Sequence, residues 1–171
     1  MKKILQGFIF FFFIFNLTNS HAQVAYIDIN FILNNSEVGK SLNNFLKSIN
    51  DENLIKYKKI EDDLINKEKS LLAQQNIIDK NQFENKVKNI KNEINKYKTE
   101  KKISNDNLNK IKINNTKKIL EILNPIITKY VETHSISLVF PKKNIIVGKK
   151  KLDITDKIII LLNDKIKTLN F

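Results

Sequence analysis

The segment QFENKVKNIKNEINKYKTEKKISNDNLNKIKINN, residues 82–115, decides the fold, because it carries a helical pattern without proline or glycine. Apolar residues recur along it in alternating steps of four and three, and seven of its ten seam positions are apolar. This spacing is the a and d pattern of a coiled-coil helix. The seam positions are Phe83, Val87, Ile90, Ile94, Tyr97, Lys101, Ser104, Leu108, Ile111 and Asn115. The apolar stripe continues to Tyr130, with a kink expected at Pro125.

A second helical run lies just before this one, between residues 40 and 75, and it also lacks proline and glycine. A polar interruption at Asn76–Asn81 separates the two runs. Two long helices joined by a short polar turn are expected to fold back as an antiparallel hairpin. The apolar positions of this first run are Leu42, Phe45, Leu46, Ile49, Tyr57, Ile60, Leu64 and Leu71.

The seam between the two helices is imperfect, since Lys67, Lys101 and Asn115 fall on it. Asparagine is a poor helix former, because its side chain competes for backbone hydrogen bonds. A hairpin two helices wide also has no third layer, so we expect the arm to be marginal and flexible toward its tip. The alternative is ordinary packing in a compact bundle, which would need more short loops than the single turn found here.

Strand patterns occupy both ends of the chain. Val24–Ile29 is rich in strand formers, Ser135–Phe140 alternates before Pro141, and Asn144–Gly148 reads as a further strand ending in a turn residue. Ile158–Ile166 reads as a helix with Thr155 as its N-cap. The simplest assembly closes the terminal strands into one small sheet, which makes the fold class α+β with a long helical hairpin projecting from a β-rich body.

These strands are too few and too short for an independent sheet of useful size. We therefore expect the body to complete its core only by association with other copies. The apolar residues expected to build this association body are Val24, Tyr26, Ile27, Ile29, Leu138, Phe140, Ile145 and Val147.

The first 22 residues have the order of a secretory signal: Met1-Lys2-Lys3, an apolar core densest at Phe8–Phe15, and small residues at Ser20 and Ala22. The apolar stretch holds only 14 residues between Ile4 and Leu17, fewer than the roughly 20 needed to span a bilayer. We therefore expect cleavage after Ala22 and a periplasmic protein. The sequence then divides into a signal (1–22), a body (23–38 and 133–171) and an arm (39–132).

Composition argues against most enzymes. The chain has no cysteine, three glycines and two histidines, which leaves little for a thiol nucleophile, a phosphate-binding glycine loop or a histidine-built metal site. We expect no cofactor.

The formal net charge is +12, but all 30 basic residues are lysine. Arginine is the preferred residue for paired hydrogen bonds to bases and phosphates. Because the chain contains no arginine, a nucleic-acid partner is not expected. An AT-rich coding sequence could also account for part of the lysine excess.

The positive charge is concentrated on the second helix of the hairpin. Residues 82–132 carry 12 lysines and 6 acidic residues, whereas residues 39–81 carry 8 and 7. Such a field can steer acidic partners at long range, although a charged helix face often only keeps a protein in solution. Both interpretations stay open. The candidate steering residues are Lys86, Lys88, Lys91, Lys96, Lys98, Lys101 and Lys102.

A few other residues are of types often found in functional sites, but a structural role explains each of them better. The tyrosines Tyr57, Tyr97 and Tyr130 fall on the seam and are expected to pack there. His134 lies at the predicted corner between helix and strand, where a surface role is expected. Asp153 and Asp156 resemble a catalytic pair, but they fit the entry to the last helix.

The mature chain resembles the Skp family, the OmpH-like periplasmic chaperones. The resemblance rests on Ala25-Tyr26-Ile27-Asp28, on Ser36–Lys40, on Pro125–Ile127, on Ile136–Phe140, and on Leu152-Asp153-Ile154-Thr155-Asp156 before an apolar helix. The helices depart from the family pattern, with Asn and Lys where many relatives carry Ala, Gln and Glu.

This resemblance implies a homotrimer whose three arms surround a cavity. It also implies ATP-independent holding of unfolded outer-membrane β-barrel proteins. Some members bind lipopolysaccharide through a basic cluster, so contact with lipopolysaccharide or an anionic membrane is left open here without assigned residues. The alternative function is a coiled-coil spacer or adaptor of the cell envelope that binds one folded partner.

Overall fold

The computed structural model describes residues 23–170; the predicted signal segment lies outside the described residues. The fold is mostly helical, with two long helices and a small two-stranded sheet. None of the described helices is long and apolar enough to cross a membrane. In chain order the elements are β1 (Gln23–Ile27), α1 (Ile29–Asn35), α2 (Glu37–Ala73), α3 (Lys80–Thr133), β2 (Ile136–Pro141), two 3₁₀ turns (Lys142–Asn144 and Lys150–Leu152) and α4 (Thr155–Lys165).

Helices α2 and α3 form the predicted antiparallel hairpin. With 54 residues, α3 is about 80 Å long at 1.5 Å per residue. Near the middle of the hairpin, the Tyr57 hydroxyl donates to the Glu100 carbonyl at 2.9 Å, and the Tyr57 and Tyr97 rings meet edge to face at 6.0 Å. These contacts confirm that both tyrosines pack in the seam. Helix α3 runs through Pro125 without ending, although proline lacks the N–H that would bond to the Glu121 carbonyl.

Side chains at the start of each element explain where the helices begin. Asp28 accepts from the Phe31 N–H at 2.9 Å and caps α1, so β1 ends at Ile27, two residues before the predicted strand end, and α1 begins at Ile29. Ser36 accepts from the Gly39 N–H and caps α2, while Asp79 accepts from the Asn81 N–H and caps α3. Each of these caps satisfies an N–H that the helix itself cannot.

The hydrophobic core lies where the root of the hairpin meets α1, α4 and the sheet. Its fully buried side chains come from sequence-distant elements and are Ile32, Val38, Ile119, Leu123, Ile158 and Leu162. By contrast, residues 80–114 of α3 contribute no buried side chain to the described structure. The stability of the molecule is therefore concentrated at one end, and the arm extends away from it.

Strands β1 and β2 pair in parallel, with Val24 opposite Leu138 and Tyr26 opposite Phe140. The predicted closure of the two ends of the chain into one small sheet is therefore confirmed. On the other side of β1, the Ile154 N–H donates to the Tyr26 carbonyl at 3.1 Å. This bond ties the start of α4 to the first strand.

Two local predictions are wrong. Asn144–Gly148, with Ile145 and Val147, does not form a strand: the 3₁₀ turn Lys142–Asn144 is followed by an irregular segment, and the Ile146 and Val147 side chains are 99% and 91% exposed. A segment with strand propensity gains little when no neighbouring strand pairs with it. Thr155 is not the N-cap of α4 either, because its hydroxyl accepts from the Asp28 N–H and donates to Asp153.

Candidate functional site

Four of the predicted steering lysines form a stripe along the arm. Lys88, Lys91, Lys98 and Lys102 are exposed, and at 3.6 residues per turn they lie within about 80° of one another around α3. None of the four forms an ion pair with any residue in the range 23–170. We call these four residues the lysine stripe. Their charges are not neutralised within the arm, so they are available to an acidic partner.

The other three predicted lysines have partners within the arm. Lys86 donates to Gln74 at 2.9 Å across the tip, and Lys96 lies 3.9 Å from Glu100 one turn away. Lys101 donates to the Tyr97 hydroxyl at 3.0 Å, and this hydrogen bond raises the pKa of Lys101 above its usual value. These three lysines contact side chains of the hairpin, although Lys86 and Lys101 bond to an amide and a hydroxyl rather than to a carboxylate.

An apolar notch lies beside the lysine stripe, close to the hairpin tip. It encloses about 410 Å³ between the last turns of α2 and the first turns of α3, and Lys91 borders it. Leu72 and Val87 in its wall are exposed, as is Ile77 in the turn. The apolar residues lining the notch are Leu71, Leu72, Phe83, Val87, Ile90 and Ile94. A shallow notch of this kind can hold an apolar side chain without selecting its exact shape.

Sequence reasoning missed one ion pair that holds the arm together. Lys67 bonds to Glu93 of the opposite helix at 2.8 Å and to Asp63 of its own helix at 2.9 Å. Hydrogen bonds to Glu93 and then to Asp63 raise the pKa of Lys67 above its usual value. The spacing of Asp63 and Lys67 signals the local bond, but the bond to Glu93 depends on the register between the helices. Lys67 can therefore lie on the seam because its ammonium group forms ion pairs with Glu93 and Asp63 at the edge of the seam.

The outer face of the sheet is apolar and open. Val24, Tyr26, Leu138 and Phe140 share this face, and Leu138 and Phe140 are 56% and 43% exposed. We call these four residues the sheet face. Ile27 points to the opposite side and is buried in the chain's own core.

The remaining predicted association residues lie elsewhere. Ile29 is in α1 and packs against the core, while Ile145 and Val147 lie in the loop after β2. The two-residue alternation of a strand could have separated Ile27 from the others before the structure was known.

A family model and a solved structure are similar to this chain. A family model described as outer membrane protein (OmpH-like) matches residues 23–162. The fold is similar to the crystal structure of a proposed outer membrane chaperone (OmpH-like) from Caulobacter crescentus CB15, with a TM-score of 0.80. The two chains are 20% identical, and the match covers 89% of this chain and 90% of the other. No curated protein matches the sequence.

Proposed function

Because the chain belongs to the family of OmpH-like outer membrane proteins, we propose that it is a periplasmic holdase that binds unfolded outer-membrane β-barrel proteins and prevents their aggregation. In this proposal residues 1–22 direct export and are then removed. Three copies associate through the sheet face, and their arms surround the client. No enzymatic step is part of the proposal.

The observation that carries this proposal is the position of the lysine stripe beside the apolar notch. Unfolded clients present apolar segments and, when acidic, an excess of negative charge. Exposed lysines raise the rate of encounter with such chains, although each pairwise contact contributes only about 0–1 kcal/mol. The notch and the exposed apolar residues of the arm then supply short-range contacts that do not depend on client sequence. Binding through many weak contacts fits a protein that must hold and later release different clients.

Release needs no ATP in this mechanism. Contacts that are individually weak are lost one at a time, and a client that folds withdraws its apolar segments from the arm. The resemblance to the Skp family supports this reading, since its members act without nucleotide. Contact with lipopolysaccharide or an anionic membrane through the lysine stripe is compatible with the same charge distribution. Nucleic acid is not part of the proposal.

The proposal is tested by measuring client capture with the lysine stripe removed. Lys88, Lys91, Lys98 and Lys102 are replaced together by Gln, which has a similar helix propensity. Lys86 is left in place because it bonds to Gln74 at the tip. The matched control replaces four scattered exposed lysines, Lys40, Lys59, Lys69 and Lys110, and therefore changes the net charge equally.

Wild-type protein is expected to suppress light scattering of several unrelated unfolded barrels after dilution from urea. Its association rate with an acidic barrel should fall as salt rises, and the stripe variant should lose most of that dependence in stopped-flow measurements. The scattered control should keep it. Failure to suppress aggregation of more than one client would instead favour a spacer or adaptor with one folded partner. Equal salt slopes in all three proteins would mean that the stripe serves solubility alone.

A further inference from the structure

A second apolar groove lies far from the arm tip, between the last third of α3 and helix α4. It encloses about 1050 Å³, more than twice the volume of the notch. Its apolar lining residues are Ile122, Pro125, Ile126, Tyr130, Ile160 and Leu161. The groove belongs to the body of the molecule, so the capture surface of the arm does not account for it.

Helix α4 presents apolar residues on two sides. Ile158 and Leu162 are fully buried against the core, as expected for one face of an amphipathic helix. Ile160 and Leu161 point away from that core and are 60% and 39% exposed. The core therefore explains only half of the apolar character of this short helix. An exposed apolar patch of this kind typically marks an interaction site.

The charges around the groove favour an acidic partner. Lys129, Lys157 and Lys165 line it, and none of them forms an ion pair within the described part of the chain. Glu121 is the single acidic residue of the lining, and Lys117 lies 4.0 Å from its carboxylate. The groove thus combines an apolar floor with an uncompensated positive rim.

The length and shape of the groove match a helical segment. Its lining on α3 runs from Glu121 to Thr133, a rise of about 18 Å along the helix. A partner helix of three to four turns covers this distance, and a groove between two helices is a common seat for an amphipathic helix. A flat membrane surface would meet the rim lysines but not the concave floor.

We propose that the groove between α3 and α4 docks an amphipathic helix with acidic flanks from a partner protein. The apolar side chains of that helix pack on Ile126, Ile160 and Leu161, and its carboxylates pair with the rim lysines. This inference is independent of client holding by the arm. It provides the chaperone with a fixed attachment point for a second, structured protein while the arms remain free.

A synthetic helix provides the probe. The test uses a fluorescein-labelled 16-residue peptide with Leu along one face and Glu on both flanks. Its matched controls are the same peptide with Lys in place of Glu and a scrambled acidic peptide. Binding to the full exported protein is followed by fluorescence anisotropy. We expect the acidic amphipathic peptide to bind at micromolar concentrations and the two controls at least tenfold more weakly.

Substitutions in the groove locate the binding. Ile160→Gln with Leu161→Gln should weaken the acidic peptide at least tenfold, and Lys157→Gln with Lys165→Gln should weaken it severalfold and reduce its salt dependence. Ile113→Gln, at an exposed apolar position of α3 outside the groove, is the matched control and should leave binding unchanged. The lysine-stripe variant should also bind normally. Circular dichroism checks that every variant keeps its helix content.

Several results would overturn the proposal. One is equal affinity for the acidic and scrambled peptides, and another is unchanged binding after Ile160→Gln with Leu161→Gln. Loss of binding in the stripe variant would place the peptide on the arm. If the groove substitutions lower the sedimentation mass of the free protein, the groove is instead an interface between copies. If they abolish binding to vesicles of anionic phospholipid without affecting the peptide, its ligand is lipid.

Discussion

Gly39 leaves less room for a side chain than Gly148 does. It lies in the first turn of α2, directly beneath the end of α1, and a Cβ built there would come within 1.9 Å of the Leu33 carbonyl oxygen. The contact is with backbone, so no rotation of a neighbouring side chain can relieve it. The sharp turn between α1 and α2 therefore requires glycine for close approach.

Gly39→Ala is expected to lower the free energy of unfolding by at least about 2 kcal/mol, because overpacking forces the two helices apart. Urea unfolding followed by circular dichroism measures this change. Gly148→Ala is the control: its Cβ would meet flexible atoms of Tyr26 and Ile145, and we expect a loss below about 1 kcal/mol. Similar values for both variants would mean that α1 shifts without cost.

Asp153 joins three parts of the body. It accepts from the Thr155 N–H and hydroxyl and pairs with Lys142 at 2.9 Å. Burial alone would raise the pKa of Asp153, but the hydrogen bonds from Thr155 and Lys142 outweigh it and lower the pKa below the ordinary value of 3.8. A carboxylate whose pKa falls on folding stabilises the protein above its unfolded pKa. That stabilisation is lost as the pH falls through the folded pKa.

Asp153→Asn is therefore expected to destabilise the protein by about 1–2 kcal/mol at pH 7, since it weakens hydrogen bonds to a charged group. The difference from wild type should shrink as the pH falls below 3.8 and through the lowered pKa of folded Asp153. Urea unfolding at pH 7 and near pH 3 provides the comparison. Asp156→Asn, at an exposed position in the first turn of α4, should cost only a few tenths of a kcal/mol. A pH-independent loss in Asp153→Asn would contradict the electrostatic explanation.

At the scale of the elements, the arm is held by spaced contacts and the body by a continuous core. Tyr57, Leu64 and Leu71 are the buried residues of α2 beyond its first turns, and they follow one another at intervals of about two helical turns. Between them, exposed ion pairs such as Lys58 with Asp62 contribute little each. Local opening should therefore begin at the tip and spread toward the body.

Hydrogen exchange tests this gradient. Amides of residues 74–95 are expected to exchange orders of magnitude faster than those around Ile119 and Leu123, which lie in the core. Glu93→Gln removes the ion pair with Lys67 and should speed exchange in the outer arm a few fold, with little change near Leu123. Uniform protection along α3 would show instead that the hairpin opens as one unit with the body.

For the whole molecule, the proposed trimer places the sheet face at the contact between copies. Two strands make too small a sheet to bury both of its faces, and helices cover only one of them here. Association would remove Val24, Leu138 and Phe140 from water.

Leu138→Glu with Phe140→Glu is expected to reduce the sedimentation mass of the protein without residues 1–22 from that of three chains to that of one. Burying two carboxylates in an apolar contact is strongly unfavourable, which is the physical reason for this result. Ile113→Glu on the arm is the matched control and should leave the mass unchanged. A wild-type protein that sediments as one chain at micromolar concentration would contradict the proposed trimer.

Periodicity along the chain was sufficient to predict the hairpin and the turn near residues 76–81, while strand patterns at both chain ends led to the prediction of one small sheet. The apolar residues of an amphipathic helix recur every three or four positions, so the helix can be recognised without knowing any distant contact. The same holds for the tyrosines of the seam, whose spacing already placed them between the helices. The family resemblance rested on local signatures of this kind.

The tertiary structure alone decided which side chains form contacts within the arm and which surfaces stay open. Lys86 and Lys88 are both lysines of the same helix, and nothing in the sequence distinguishes them. In the structure Lys86 bonds to Gln74, whereas Lys88 belongs to the lysine stripe. Thr155 was a plausible cap until the fold brought the Asp28 N–H to its hydroxyl. The strand predicted at Asn144–Gly148 failed because strand propensity needs a partner, and that partner is set by the fold. Local patterns determine elements, whereas pairing between residues far apart in sequence depends on register and packing.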